Sequence, residues 1–188
     1  MKRALRHIFF LFLCSVFLIS CDGKEKTAHI LFDFESDTVL DQLHWKCHVL
    51  YSLSDDHAVH GKKSLKMELF VSAYPGFSPE LRKEDRNWSG YDFFSFHVFN
   101  PSETTIRLVL RIDDQKDALK HSDRYNRGFQ IVPGHNKIII DLDDLKTSGS
   151  DRLMNLEYIY RLMVFMSHPD KPHTVYLDYF LLSKRGAQ

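Results

Sequence analysis

The chain has too few cysteines to staple a fold, with three in 188 residues, at positions 14, 21 and 47. It also lacks an excess of either charge: lysine plus arginine and aspartate plus glutamate each number 25. No basic stripe runs along it, which argues against a nucleic-acid partner. No apolar run reaches the roughly 20 residues that a permanent membrane span needs. Internal repeats and low-complexity segments are missing, and the length suits one folded domain. So are a nucleophile elbow, any other hydrolase motif and an Asp-x-Asp-x-Asp-Gly calcium loop. The densest group of metal-ligating residue types is His44-Trp45-Lys46-Cys47-His48. On a strand Cys47 points away from both histidines, whereas tetrahedral zinc wants three or four converging ligands. A haem attachment needs a second cysteine that is not there.

The N-terminus is the first thing present. Lys2, Arg3 and Arg6 precede an apolar run over 8–19 that is broken only by Ser15. A basic segment followed by a short apolar one is the pattern of a cleaved export signal. Directly behind it, Leu18-Ile19-Ser20-Cys21 resembles the lipobox of bacterial lipoproteins. The resemblance implies cleavage before Cys21 and acylation of that cysteine, palmitate included. The chain is then anchored in the bacterial cell envelope, facing the periplasm or the cell surface. Several acyl chains, at about 0.8 kcal/mol per buried CH₂, hold a protein durably where one is marginal. Residues 1–20 are then the signal, 21–29 the lipidated cysteine with a short polar tether, and 30–184 the folded domain. Loss of the three basic residues leaves 22 basic against 25 acidic residues, a net charge of −3. Cys47 alone remains in the domain, so no intrachain disulfide forms and the core must hold the fold. Cys47 itself is expected to act as a small buried hydrophobe.

From Ile30 onward the pattern is β. The predicted strands cover 30–35, 45–53, 64–71, 93–100, 105–113, 128–132, 136–141, 159–166 and 174–182. They are rich in Phe, Val, Ile, Leu and Tyr, and His60-Gly61, Ser89-Gly90, Asn100-Pro101, Pro133-Gly134 and Ser148-Gly149-Ser150 punctuate them. Many short strands at this spacing predict an all-β fold, an antiparallel sandwich. Asn100-Pro101 and Pro133-Gly134 are the firmest boundaries, because proline cannot donate to a ladder and glycine permits the turn.

Five segments occur in a telling order: ILFDFE from Ile30, HAVHGKKSLKMEL from His57, NWSGYDFFSFHVFNPS from Asn87, VPGHNKIIIDLDDL from Val132 and TVYLDYFLL from Thr174. Over nearly the whole domain the chain resembles the jelly-roll carbohydrate-binding modules with a galactose-binding-like fold. The resemblance implies a sandwich with a ligand groove. It also implies a structural Ca²⁺ held by Glu35 (or Asp33 on the same face), by Asp178 and by carbonyls of the turn from Gly61 to Ser64. Calcium takes six to eight oxygens and accepts carboxylates that converge from distant segments. Read from the residues alone, the same three are equally ordinary edge and turn carboxylates.

The strand RLVLRID, from Arg107, carries the binding question. With Ile106, Leu108, Leu110 and Ile112 in the core, Arg107, Arg111 and Asp113 face the other way. Tyr125 and Arg127 are expected to alternate in the same sense. Guanidinium groups fork onto hydroxyls or a uronate, and Tyr125 can stack on a pyranose. Equally, Arg111 and Asp113 form an ion pair on a solvated face. Tyr74 and Phe77, beside Pro75-Gly76, are expected in a loop as an exposed stacking platform. Trp45 and Trp88 are expected in the core, and His97 either in the groove or half-buried.

Three functions follow from this reading. The first is a non-catalytic lipoprotein that binds polysaccharide or oligosaccharide. The second is a lipoprotein that docks a protein partner in the envelope. The third is a jelly-roll polysaccharide lyase or hydrolase, with Tyr125 and His97 or His121 as base and acid, and Arg111 neutralising a uronate.

Overall fold

The computed structural model describes residues 27–44, 47–117 and 120–186. Alternating apolar residues form ten strands there: β1 (Ala28–Phe32), β2 (Val49–Ser54), β3 (Ser64–Leu69), β4 (Gly76–Phe77), β5 (Phe93–Asn100), β6 (Ile106–Asp113), β7 (Tyr125–Ile131), β8 (Gly134–Asp141), β9 (Arg161–Phe165) and β10 (His173–Ser183). They pair antiparallel into two sheets, as the spacing predicts. One sheet runs β2-β3-β10-β5-β8, with β1 also paired to β10, and the other runs β4-β9-β6-β7. The long β10 takes β3 along its first half and β1 along its second, on the edge opposite β5.

The core lies between the sheets. Phe32, Phe34, Phe94, Phe96 and Phe180 meet there with ring centroids 4.8–6.4 Å apart. Complete burial of one such ring is worth about 1.5–3 kcal/mol, so this cluster replaces the missing disulfide. Trp88 is fully buried against Phe94, and its indole N–H donates to the carbonyl of Asp85 at 2.8 Å. Trp45 falls outside the described residues.

Two strands differ from expectation for backbone reasons. Of the segment expected over 45–53, β2 begins at Val49, because His48 sits at φ +46° and separates it from the single bridge of Cys47 to Gly76, residues 45–46 lying outside the described ones. β7 begins at Tyr125 rather than 128, since its pairing with β6 continues to Ile112↔Tyr125. The two-residue β4 is too short to show any periodicity. Cys47 is half-buried rather than fully so, with Sγ 3.6 Å from Ser72 Oγ. No helix of the described residues is long and apolar enough to cross a membrane.

Candidate functional site

Register builds the site on the outer face of the four-stranded sheet. Opposed residues of an antiparallel pair share a face. Val109 opposes Gly128 on one side and Phe165 on the other, and Arg111 likewise opposes Asn126 and Met163. These residues, with Tyr74, Arg107, His121, Arg124 and Ser167, line a trough of about 490 Å³. Val109, Met163 and Phe165 form its floor, an apolar cluster separate from the main core. Tyr74, 47 % exposed, stands beside it with its ring edge-on to Phe165 at 5.9 Å and to His168 at 5.1 Å. The Asn126 amide donates to His121 Nε2 at 2.7 Å.

Guanidinium groups form the rim. Arg111 forks onto Asp113, Nε to Oδ1 at 2.8 Å and Nη2 to Oδ2 at 2.7 Å. Arg161 adds a third bond to Oδ2 at 3.1 Å, and Asp113 is only 1 % exposed beneath them. Arg107 makes no hydrogen bond or ion pair among the described residues. Its guanidinium lies over Gly128, where any Cβ would collide with it. Arg124 Nε is buried without a hydrogen-bond partner, and so is Asn126 Oδ1. Burial pushes the Arg124 guanidinium down from its ordinary pKa, and repulsion from Arg111 and Arg161 adds to this against the pull of Asp113. At the end of β6, Arg152 forks onto buried Asp114 at 2.7 and 2.9 Å and reaches Asp123 at 2.9 Å. This ties the strand to the segments that carry His121 and Arg124.

Of the residues expected to contact a ligand, Tyr74, Arg107 and Arg111 line the trough, and Asp113 lies under Arg111. Tyr125 and Arg127 do not join them, a correction to the expected phase. Tyr125 opposes Ile112 and Arg127 opposes Leu110, so both start from the core side of the sheet. Tyr125 is 7 % exposed within the core, and its hydroxyl makes no well-formed hydrogen bond among the described residues, although the Arg127 guanidinium is close enough to act on it. Burial raises its phenol above the ordinary value. Arg127, on the edge strand, turns out to solvent with its guanidinium 5.5 Å over the Phe129 ring. Phe77 is also corrected: at 1 % exposure it packs into the core beside Pro75 and Gly76. Arg124, Asn126, Met163 and Phe165 escaped sequence reasoning because the registers of β7 and β9 against β6 were unknown.

The base and acid expected for a lyase are not brought together. The Tyr125 phenol is in the core, and only His121 lines the trough. His97 lies half-buried on β5 in the other sheet, where burial, then Lys137 and His135, hold its imidazole below the ordinary value. The His44 ring pairs with Glu80 at 2.6 Å, while Cys47 Sγ meets His48 Nδ1 at 3.7 Å, a correction to the expectation that the cysteine points away from both histidines; among the described residues no three such groups converge.

The residues expected to hold Ca²⁺ meet a different chemistry. Glu35 Oε1 accepts the N–H groups of Lys62 and Lys63, both at 2.8 Å. Those bonds, Lys63 first, hold its carboxyl below the usual range. Asp178 Oδ2 accepts from Val59 at 2.6 Å and His60 at 2.9 Å, and its Oδ1 accepts from Tyr179 at 2.6 Å. Burial nevertheless raises Asp178. Asp33 accepts the N–H of Glu35 at 3.2 Å. A cation needs oxygen donors, yet the turn around Gly61 offers these carboxylates N–H groups. This donor set does not fit Ca²⁺.

No protein-family model matches the chain, and no curated protein matches it. Solved structures do resemble it. An exo-β-agarase superposes with a TM-score of 0.66 at 19 % identity over 84 % of this chain and 25 % of its own. The chain thus spans about a quarter of that enzyme. A family 11 carbohydrate-binding module from Clostridium thermocellum, in complex with a β-1,3-1,4-mixed-linked tetrasaccharide, gives 0.63 at 15 % identity over 84 % of this chain and 95 % of its own. The CBM22-1 xylan-binding domain from Paenibacillus barcinonensis gives 0.52 at 16 % identity, covering 86 % and 99 %. The fold is therefore the jelly roll of carbohydrate-binding modules.

Proposed function

We propose that this chain is a non-catalytic, membrane-anchored lipoprotein that binds a polysaccharide or oligosaccharide in the trough on β6, β7 and β9. The observation that carries the reading is an exposed aromatic ring, Tyr74, beside an apolar floor of Val109, Met163 and Phe165 and a rim of guanidinium groups. A pyranose has an apolar face that suits the ring and floor, and equatorial groups that suit the rim. The likeness to carbohydrate-binding modules supports it. Membrane attachment through acylated Cys21 belongs to the same proposal and rests on the lipobox, outside the described residues.

Titration of the full chain in neutral detergent against a panel of polysaccharides tests this reading, with Tyr74→Ala alongside. A stacked ring is worth about 0.5–1.5 kcal/mol, so the variant should bind roughly two- to thirteenfold more weakly at an unchanged melting temperature. Unaltered affinity in Tyr74→Ala would move the ligand elsewhere. For the anchor, palmitate labelling of cells should be abolished by Cys21→Ser.

A further inference from the structure

The rim of the trough is one-sided in charge, while Asn126 Oδ1, a buried amide oxygen without a partner among the described residues, is left to accept from a sugar hydroxyl. Three guanidinium groups, on Arg111, Arg124 and Arg161, gather around one buried carboxylate, Asp113, and Arg107 adds a fourth further along β6, over Gly128. That carboxylate is already shared between Arg111 and Arg161. Among the described residues no Asp or Glu lines the trough itself. The chain as a whole carries no positive excess, so the fold has concentrated this charge locally.

Arginine has five donors and no acceptor. A neutral sugar hydroxyl both donates and accepts, and a site for it normally supplies carboxylate or amide oxygens. A carboxylate or sulfate group only accepts, and planar guanidinium forks suit it bidentately. Two of the four forks stand ready. Arg107 has no hydrogen bond or ion pair among the described residues and extends over the bare backbone of Gly128. Arg124 keeps a buried Nε unpaired, and a buried donor left unsatisfied costs free energy until an acceptor meets it.

We propose that the ligand is an acidic glycan whose carboxylate or sulfate groups are held by Arg107 and Arg124 while a pyranose face rests on Tyr74. This rests on the reading of the trough as a glycan site. Arg111 and Asp113 act behind it as positioning residues, since the Arg111 fork is already committed.

The test uses the full chain in neutral detergent and two matched pairs of polymers: polygalacturonate against its methyl ester, and a sulfated galactan against its desulfated form. At least one charged member should bind about tenfold or more tightly than its neutral partner, and which pair responds tells carboxylate from sulfate. Arg107→Gln and Arg124→Gln should each cost the charged ligand about tenfold and leave the melting temperature in place. Lys137→Gln, an exposed charge on the other sheet, should change nothing. Equal binding within both pairs would overturn the acidic preference while leaving glycan binding standing. Charged binding that ignores both arginine variants would reduce it to bulk attraction and also overturn the proposal. A panel with no bound polymer of any kind would remove the glycan reading and this one together.

Discussion

A single hydroxyl shows how the structure changes the reading of one residue. Tyr125 buries its ring in the core, and its oxygen makes no well-formed hydrogen bond among the described residues, with only the Arg127 guanidinium acting on it. An unsatisfied buried polar group costs about 1–3 kcal/mol. Tyr125→Phe should therefore leave glycan affinity untouched and keep or raise stability, which chemical denaturation beside a binding assay will show. A drop in affinity would return the phenol to the site. Gly128 is the opposite case, a residue with no side chain that shapes the site. Its bare backbone gives Arg107 room to lie across the trough. The clash in Gly128→Ala falls on the far end of a flexible side chain, so Arg107 should swing away. Affinity should fall about as far as in Arg107→Gln, with the fold retained. If Gly128→Ala binds normally, Arg107 does not act from that position.

At the scale of elements, the turn around Gly61 is held from two sides. Glu35 on the segment after β1 and Asp178 on β10 both accept its N–H groups. Gly61 sits at φ +66° with the Glu35 carboxylate packed against it. A side chain there meets a backbone cost of about 1–2 kcal/mol, so Gly61→Ala should destabilise by at least that much. Because N–H donors satisfy both carboxylates, the melting temperature should be the same with Ca²⁺ or with a chelator. A rise of several degrees on adding Ca²⁺ would contradict the donor set described above.

The strands of the sandwich were readable from alternation alone because each has one face in the core, which fixes its period. Phe93–Asn100 matches its expected bounds, and Ile106–Asp113 starts one residue late. The site was less readable. Alternation along β6 correctly put Arg107 and Arg111 opposite the core, but the phase of β7 depends on pairing with another strand. With Ile112 opposite Tyr125, an odd-numbered residue of β7 faces an even-numbered one of β6. That shift sent Tyr125 and Arg127 to the core side and brought Asn126 to the trough. Tyr74 was legible as a loop aromatic, whereas Phe77 was not distinguished from it because β4 is two residues long.

On the scale of the whole molecule, titrating groups set how stability depends on pH. His97 and His173 lie below the ordinary imidazole value of 6.5, chiefly through burial. The folded state thus resists protonating them, and stability should fall as pH drops below about 6.5. Asp114 adds a second stage. Burial would raise it, but the Arg152 fork and the Asn155 N–H outweigh that and hold its carboxyl below the ordinary 3.8. Its contribution is complete above that value and is lost as pH falls through it towards the folded value. Urea denaturation from pH 8 to pH 3 should show two descending stages, the first reduced in His97→Gln and the second in Asp114→Asn. Asp114→Asn should also cost about 1.5–3 kcal/mol at neutral pH, the range for hydrogen bonds to charged groups. A flat profile between pH 7 and pH 5 would exclude the histidine stage.

The central claim is that the outer face of the four-stranded sheet holds a glycan. Chemical-shift mapping with whichever polymer fragment binds best tests it most directly. Shifts should concentrate on Tyr74, Arg107, Asn126 and the Met163 methyl. Shifts gathered instead on the other sheet, around His97, Lys137 and Tyr176, would contradict it.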